Sequence, residues 1–225
     1  MATAEKSIKD SKASKTAARK TARASGTKST AANAETRKKR AQAVATKSAA
    51  RKETRASAKD DRSLSDLFEH ALGDIYYAEK KIYKSLPKMI KAADHPELVE
   101  ALTSHREETA GQIEKLEAIF DLLGKRAKAE KCDAIDGILE ESESLLEDFG
   151  SSVAADAAII FSCQAIEHYE ITRYGSMRAF ADALGMDEAR QHIDDILAQE
   201  KAADASLTEL AEDSVNAAAT EYDDD

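Results

Sequence analysis

The segment SCQAIEHYEITRY, Ser162 to Tyr174, follows the apolar run VAADAAIIF with no helix breaker between them. It therefore continues what should be the best-buried helix of the chain. Glu167 falls in the middle of that helix, on the same face as Ala157 and Ile160. A carboxylate buried without a cationic partner is costly, so the group either becomes neutral or binds a cation. The question that this segment raises is which cation that could be.

Composition favours an all-α protein without a membrane-spanning helix. The chain of 225 residues has only 8 Gly and 2 Pro, and it contains no run of about 18 apolar residues. The two cysteines, Cys132 and Cys163, lie far apart and outside any CxxC motif. A disulfide framework and a thiolate zinc site are therefore not expected, and this cysteine usage fits a reducing compartment. We expect a cytoplasmic protein, associated with the nucleoid if it contacts DNA.

The net charge of −10 hides two halves of opposite sign. Residues 1–62 contain 18 Lys and Arg against 6 Asp and Glu, whereas residues 63–225 contain 15 against 37. The first segment has no aromatic residue and almost no large aliphatic one, so it cannot bury enough surface to offset its ordering entropy. We predict a disordered basic tail over 1–62, a folded domain over 63–215 and an acidic disordered C-terminus over 216–225.

From Ser63 onward, apolar residues recur at helical spacing, and no strand signal is present. Ser63 is a suitable N-cap for the first helix. Four long helices are predicted, with a shorter one over 134–149, and the long ones cover residues 63–93, 96–123, 151–184 and 187–211. Four helices with one long, helix-containing connection between the second and third describe a ferritin-like four-helix bundle. The alternative is a helical hairpin array or an elongated coiled coil, but the mixed three- and four-residue spacing argues against a coiled coil.

Each long helix directs one glutamate into its own apolar face, close to its midpoint. These residues are Glu79, Glu108, Glu167 and Glu200. In a bundle of helices of similar length, residues at the midpoints meet at one level, so the four carboxylates should meet in one layer.

Four carboxylates in an apolar layer repel one another and raise each other's pKa. A pair of divalent or trivalent cations resolves that conflict, and oxygen-rich ligation with few imidazoles selects iron or manganese over zinc or copper. The alternative is that some of these glutamates lie at the edge of the interface and pair with Lys or Arg.

Several segments resemble the YciE/YciF ferritin-like stress-protein family over about residues 63–215. They are DIYYAEKKI, HREETAGQIEKLEAIF, KCDAIDGILEE, AIEHYEITRYGSMRAFADALG and QEKAADASLTELA. The resemblance implies a rubrerythrin-like bundle that holds two iron or manganese ions per chain. It also implies a homodimer, an association with stress responses, and ferroxidase-like or peroxide-consuming chemistry.

The chain departs from the Glu-x-x-His motif that two helices of a di-iron bundle usually carry. Ala110 and Gly111 stand where the histidine after the glutamates of the second helix is expected. We predict instead that His105, three residues before Glu108, supplies the imidazole. Glu170, three residues after Glu167, is predicted as a further carboxylate ligand.

Four other polar side chains are predicted to orient the ligands rather than to bind metal. They are Gln112, Gln164, His168 and Asp204. His168 points about 100° away from Glu167 on the helix, so a position in the core beside the ligands is expected for it.

The basic tail alternates Lys and Arg with Ala, Ser and Thr, a pattern that resembles linker-histone tails. Such spacing suits neutralisation of phosphates without base readout. The densest group of basic residues, predicted to contact nucleic acid, is Arg37, Lys38, Lys39 and Arg40. The alternatives are an organelle transit peptide, a solvated spacer, or a segment that contacts the acidic domain.

Two classes of function follow from these patterns. One is a redox or metal-handling protein with a di-iron or di-manganese centre and a nucleic-acid-binding tail. The other is a non-catalytic dimeric scaffold or nucleoid-binding protein with a vestigial metal site.

Overall fold

A computed structural model describes residues 62–220, and the regular structure of this range is entirely helical. The predicted basic tail, except Arg62, lies outside the described residues, as do residues 221–225. The elements are α1 (Leu64–Ala92), α2 (Pro96–Leu122), α3 (Asp133–Phe149), α4 (Ala155–Ala183) and α5 (Asp187–Leu210), then a π-helical turn (Ala211–Val215) and the short α6 (Asn216–Ala218).

The four long helices form a closed ring in which each packs against two neighbours. The order around the ring is α1, α2, α5, α4, and α3 packs outside it against α4 and α1. The predicted all-α bundle, with a helix-containing connection between its second and third long helices, is therefore confirmed. The apolar faces of all four helices meet inside the ring, where Leu72, Leu116, Ile159 and Ile196 are fully buried.

Local sequence determines where the first helices begin and end. The Ser63 side chain accepts a hydrogen bond from the Asp66 amide at 3.2 Å, and Asp66 accepts one from the Ser63 amide at 2.7 Å. This reciprocal pair confirms Ser63 as the N-cap. Pro96 occupies the first turn of α2, where its missing N–H leaves no bond unmade. Gly124 follows the end of α2 with φ of 66°, a conformation that favours glycine.

Two boundaries differ from the predicted ones. The third long helix begins at Ala155 rather than at Ser151, because the Ser152 hydroxyl bonds to the Phe149 carbonyl and the backbone turns there. Helical structure at the C-terminus continues through the π-helical turn to Ala218. Residues 216–218, predicted as part of the acidic terminus, are therefore helical.

The 125–132 segment, which joins α2 to α3, crosses α1 at Gly73. The Glu130 amide donates to the Gly73 carbonyl at 2.9 Å, and the Glu130 carboxylate lies 2.8 Å from His70 Nδ1. A Cβ at position 73 would stand 2.8 Å from Glu130 Cγ and 3.2 Å from the Lys128 carbonyl oxygen. The absence of a side chain at Gly73 therefore allows this segment to lie against the helix.

Replacement of Gly73 by Ala tests whether tight packing at this position outweighs the higher helix propensity of alanine in its effect on stability. We expect Gly73→Ala to lower the free energy of unfolding by about 1 kcal/mol or more, because the new methyl group overpacks the contact. The matched control is Gly137→Ala on the exposed face of α3, where a Cβ meets nothing within 4 Å. That change should raise the free energy of unfolding by about 0.5–1 kcal/mol. Chemical denaturation measures both, and equal gains would mean that the segment does not contact α1 at Gly73.

Candidate metal centre

Four buried glutamates and one buried histidine meet in the middle of the bundle. Glu79 comes from α1, His105 from α2, Glu167 and Glu170 from α4, and Glu200 from α5. None of these residues exposes more than 6% of its surface. Each lies on the apolar stripe of its helix, so the packing of the helices itself brings the five side chains together.

The ligand atoms of this group are close enough to share an ion. One atom each from His105, Glu167, Glu170 and Glu200 lies within 4.8 Å of all the others. The His105 Nε2 atom is 3.2 Å from Glu167 Oε1, but the geometry is not that of a hydrogen bond. We call these four residues together with Glu79 the carboxylate cluster.

Shared hydrogen bonds link the carboxyl groups of the cluster in two pairs. Glu170 is hydrogen-bonded to Glu79, and Glu167 to Glu200. In each pair the bond raises the pKa of the α4 residue and lowers the pKa of its partner. The two carboxyl groups of each pair therefore influence each other's ionisation.

Burial is the main reason why these groups resist ionisation. It raises the pKa of Glu79 from its ordinary value near 4.5 to about 8, and the charge of Glu200 adds to the effect. Burial likewise raises the pKa values of Glu167 and Glu170 well above the usual range. It lowers the pKa of His105 to about 4, so the imidazole is neutral at pH 7 and can offer a lone pair.

Among the described residues, no buried basic side chain balances the charge of the cluster. The buried polar residues within 62–220 include no Lys or Arg. One oxygen of each of the four glutamates and both ring nitrogens of His105 have no hydrogen-bond partner among the described residues. Such unpaired buried atoms are rare because each costs about 1–3 kcal/mol. Oxygen-rich donors with one neutral imidazole, left unpaired in a dry core, fit a hard metal ion.

Glu108, also predicted as a ligand, lies at the edge of the cluster rather than in it. Its side chain is 39% exposed, and its Oε2 atom is 4.0 Å from His105 Nδ1. The buried face of α2 carries His105, Thr109 and Gln112 instead. Glu108 is one residue before Thr109, and that step turns its side chain about 100° away from the centre of the bundle.

The residues predicted to orient the ligands separate into two groups. Gln112 donates directly to Glu200. Gln164 contacts none of the ligands: its amide donates to Thr208 at 2.8 Å and lies 3.4 Å from Asp204. Asp204 also lies 3.1 Å from His168 Nε2, and its charge helps to raise the pKa of Glu167.

The predicted core position of His168 is wrong, because 69% of its side chain is exposed. The Asp204 carboxylate draws the imidazole across the outer side of the α4–α5 interface rather than into the core.

The sequence prediction did not assign Tyr174 to the site. This tyrosine is fully buried, and its hydroxyl donates to Glu79 Oε1. It follows Glu167 by seven residues and Glu170 by four, so the same helical stripe that carries the two glutamates also carries the tyrosine. That spacing was a readable signal in the sequence.

The family described as "Domain of unknown function (DUF892)" matches residues 63–220. The chain belongs to this family. The match begins at the first residue after the predicted basic tail. Protein YciF of Escherichia coli strain K12 is 36% identical over 156 residues, which are 69% of this chain and 94% of that protein.

Solved structures of relatives have the same fold. The crystal structure of the Escherichia coli stress protein YciF gives a TM-score of 0.66 at 36% identity and covers 69% of this chain and 98% of that one. YcfI of Rhodopseudomonas palustris, described as a proposed structural protein, gives 0.65 at 43% identity and covers 67% of this chain and 96% of that one. The resemblance to the YciF family is therefore confirmed. Within residues 62–220, no helix is both long and apolar enough to cross a membrane.

The raised pKa of Glu79 predicts how the metal-free protein responds to pH. Between about pH 4.5 and pH 8 the folded chain binds more protons than the unfolded chain. The free energy of unfolding should therefore fall as the pH rises through that window. Denaturant titrations of chelator-treated protein at several pH values measure this fall.

Glu170→Gln should make that fall shallower, because it removes one of the coupled carboxyls while its amide can still donate to Glu79. Glu107→Gln is the matched control, since this glutamate is exposed on α2. Wild type and Glu170→Gln with the same pH dependence would show that the cluster does not titrate as one buried group.

Proposed function

We propose that the protein is a metal-binding carboxylate protein whose centre holds iron or manganese. The observation that carries the proposal is the set of unpaired carboxylate oxygens around a neutral, unpaired imidazole in the dry core. The relative named as a stress protein supports a role in a stress response. Oxidation of ferrous iron or consumption of peroxide is the chemistry that such a metal supplies when it is bound.

The residues divide naturally into ligands and supports. His105, Glu167, Glu170 and Glu200 are the proposed ligands, because one atom of each lies within 4.8 Å of the others. Glu79 is the proposed fifth ligand, because its carboxyl group is hydrogen-bonded to that of Glu170 and therefore lies beside the other four. This number of carboxylates supports two ions per chain, because four negative charges in one apolar layer need more than one divalent cation to balance them.

The supporting side chains hold the ligands in fixed orientations. Gln112 donates to Glu200, and Tyr174 donates to Glu79. Both donors are themselves buried, so the two carboxylates have few alternative rotamers. The apolar surroundings lower the local dielectric, and this strengthens the attraction between each carboxylate and a bound cation.

A non-catalytic scaffold is the second candidate, and the description of the Rhodopseudomonas palustris relative as a proposed structural protein favours it. In that case the carboxylate cluster is vestigial and the bundle serves as a homodimer. The buried cluster argues for the metal proposal, because unpaired buried carboxyls carry a cost that a pure scaffold has no reason to keep.

Metal analysis of the full-length protein separates these two candidates. Protein purified without chelator from iron- and manganese-supplemented cells should hold close to two such ions per chain. Glu167→Ala should release the metal, because it removes a carboxylate that contacts both His105 and Glu200. Glu209→Ala on the exposed face of α5 is the matched control and should keep it.

Circular dichroism of both variants establishes that any release of metal is not a loss of fold. Wild-type protein without metal under these conditions would remove the metal proposal and leave the scaffold.

We further propose that the basic tail contacts nucleic acid without sequence preference. This proposal is supported by the charge of the tail, which contains 18 Lys and Arg against 6 Asp and Glu, whereas the rest of the chain is acidic. Duplex DNA has a dense array of phosphates and releases condensed counterions when a polycation binds to it. Contact of the tail with the acidic bundle is the competing arrangement, and both contacts weaken as salt rises.

Neutralisation of a few tail residues should change the salt dependence of DNA binding. One variant replaces four tail residues by Gln: Arg37, Lys38, Lys39 and Arg40. It should lower the slope of log affinity against log salt by up to about 4, because each phosphate that the protein neutralises contributes about 0.9 to that slope. The control replaces four exposed lysines of the helices, Lys84, Lys88, Lys91 and Lys201, by Gln. Mobility-shift titrations at several salt concentrations measure both slopes. A full-length protein that fails to shift DNA at about 50 mM salt contradicts the proposal.

A further inference from the structure

A cleft lies between α2 and α5 and extends from the surface to the carboxylate cluster. It encloses about 560 Å³, part of which is open to solvent. Half of the residues that line it have short side chains: Ala101, Ser104, Ala202, Ala203 and Ser206. Because these positions carry no long side chain, the two helices leave a space between them that they would otherwise fill.

Two members of the carboxylate cluster, His105 and Glu167, line this cleft. Both are more than nine-tenths buried. Both ring nitrogens of His105 and the Oε2 atom of Glu167 lack a hydrogen-bond partner among the described residues. The cleft therefore connects solvent with metal-binding atoms that have nothing else to bind.

The charges along the cleft favour the entry of cations over that of anions. Among the described residues, Glu108 and Glu167 line it and no Lys or Arg does. Glu108 is the more exposed of the two, and its Oε2 atom lies 4.0 Å from His105 Nδ1. A cation that enters meets first a half-exposed carboxylate and then a buried imidazole and carboxylate. An anion would be repelled by the Glu108 carboxylate at the entrance.

We propose that this cleft is the route by which a hydrated divalent cation reaches the centre. Glu108 attracts the ion at the surface and passes it to His105 and Glu167, without remaining bound to it. This inference rests on the proposed metal centre, and it assigns Glu108 to the capture of metal rather than to its retention. The partial exposure of Glu108 suits that role, since an exposed carboxylate binds a hydrated ion without having to be desolvated first.

The rate of metal loading tests the electrostatic part of this proposal. Full-length protein stripped of metal is mixed with Co²⁺ in a stopped-flow instrument, and the visible absorption of bound Co²⁺ is followed. Glu108→Gln should lower the bimolecular rate constant about tenfold at low ionic strength and weaken its dependence on salt. The final number of Co²⁺ ions per chain should be unchanged.

Glu107→Gln is the matched control, because it removes the same charge from the neighbouring residue of α2, which is exposed and does not line the cleft. Its loading rate should stay within about twofold of wild type, since a charge outside the cleft contributes little to attraction within it.

A second pair of variants tests the route itself. Ala203→Leu places a larger side chain in the cleft and should slow loading by about tenfold without a change in final stoichiometry. Ala205→Leu is its control, because Ala205 lies on the same helix but is exposed and outside the cleft. Blocked access acts on the rate of binding and leaves the number of sites unchanged.

Wild-type loading rates in both Glu108→Gln and Ala203→Leu would overturn the proposed route. Loss of Co²⁺ at equilibrium in Glu108→Gln would also overturn it, because Glu108 would then be a resident ligand, while the metal centre itself would stand. If the wild-type protein binds no Co²⁺, the proposed metal centre itself is wrong. That result contradicts the proposed function, and it is seen before any variant is measured.

Discussion

The structure depends on a layer of four buried carboxyl groups that no basic side chain of the described residues neutralises. The apolar stripes of α1, α4 and α5 bring Glu79, Glu167, Glu170 and Glu200 together at the middle of the bundle, and α2 adds His105. Without a cation, burial disfavours the charged form of each of these carboxyl groups and so raises its pKa. With a cation, the same oxygens become ligands. If the proposed centre binds metal, the layer exchanges protons for metal, and the rest of the bundle holds it in place for both states.

Apolar side chains flank this layer along the helices. On α1, Leu72 and Ile75 precede Glu79 at helical spacing, and Ile82 and Leu86 follow it, all of them buried. The glutamate is thus one position in an otherwise unbroken stripe. A carboxylate in such a position experiences the low dielectric of the core, which raises its pKa and also strengthens its attraction for a cation.

Sequence periodicity was sufficient to predict the helices and the bundle. A long helix has many apolar residues in its stripe, and each of them independently indicates which face is buried. It also placed Glu79, Glu167 and Glu200, whose stripes are strongly apolar. It could not choose the correct row on α2. The rows His105, Glu108, Gln112 and His105, Thr109, Gln112 both follow three- and four-residue spacing, and only the packing of α2 between α1 and α5 selects the second. The 125–132 segment has no periodicity at all, so its contact with Gly73 could be seen only in three dimensions.

The same layer ties stability to metal. Several of its buried atoms are unpaired, and each costs the metal-free protein about 1–3 kcal/mol. Leucines at these positions would pack without that cost and would give a more stable bundle. A bound ion stabilises the folded state in proportion to the logarithm of its concentration over its dissociation constant. If the proposed centre binds metal, the stability of the bundle should therefore follow the metal supply, and Glu108 at the mouth of the cleft should set how quickly the fold responds to that supply.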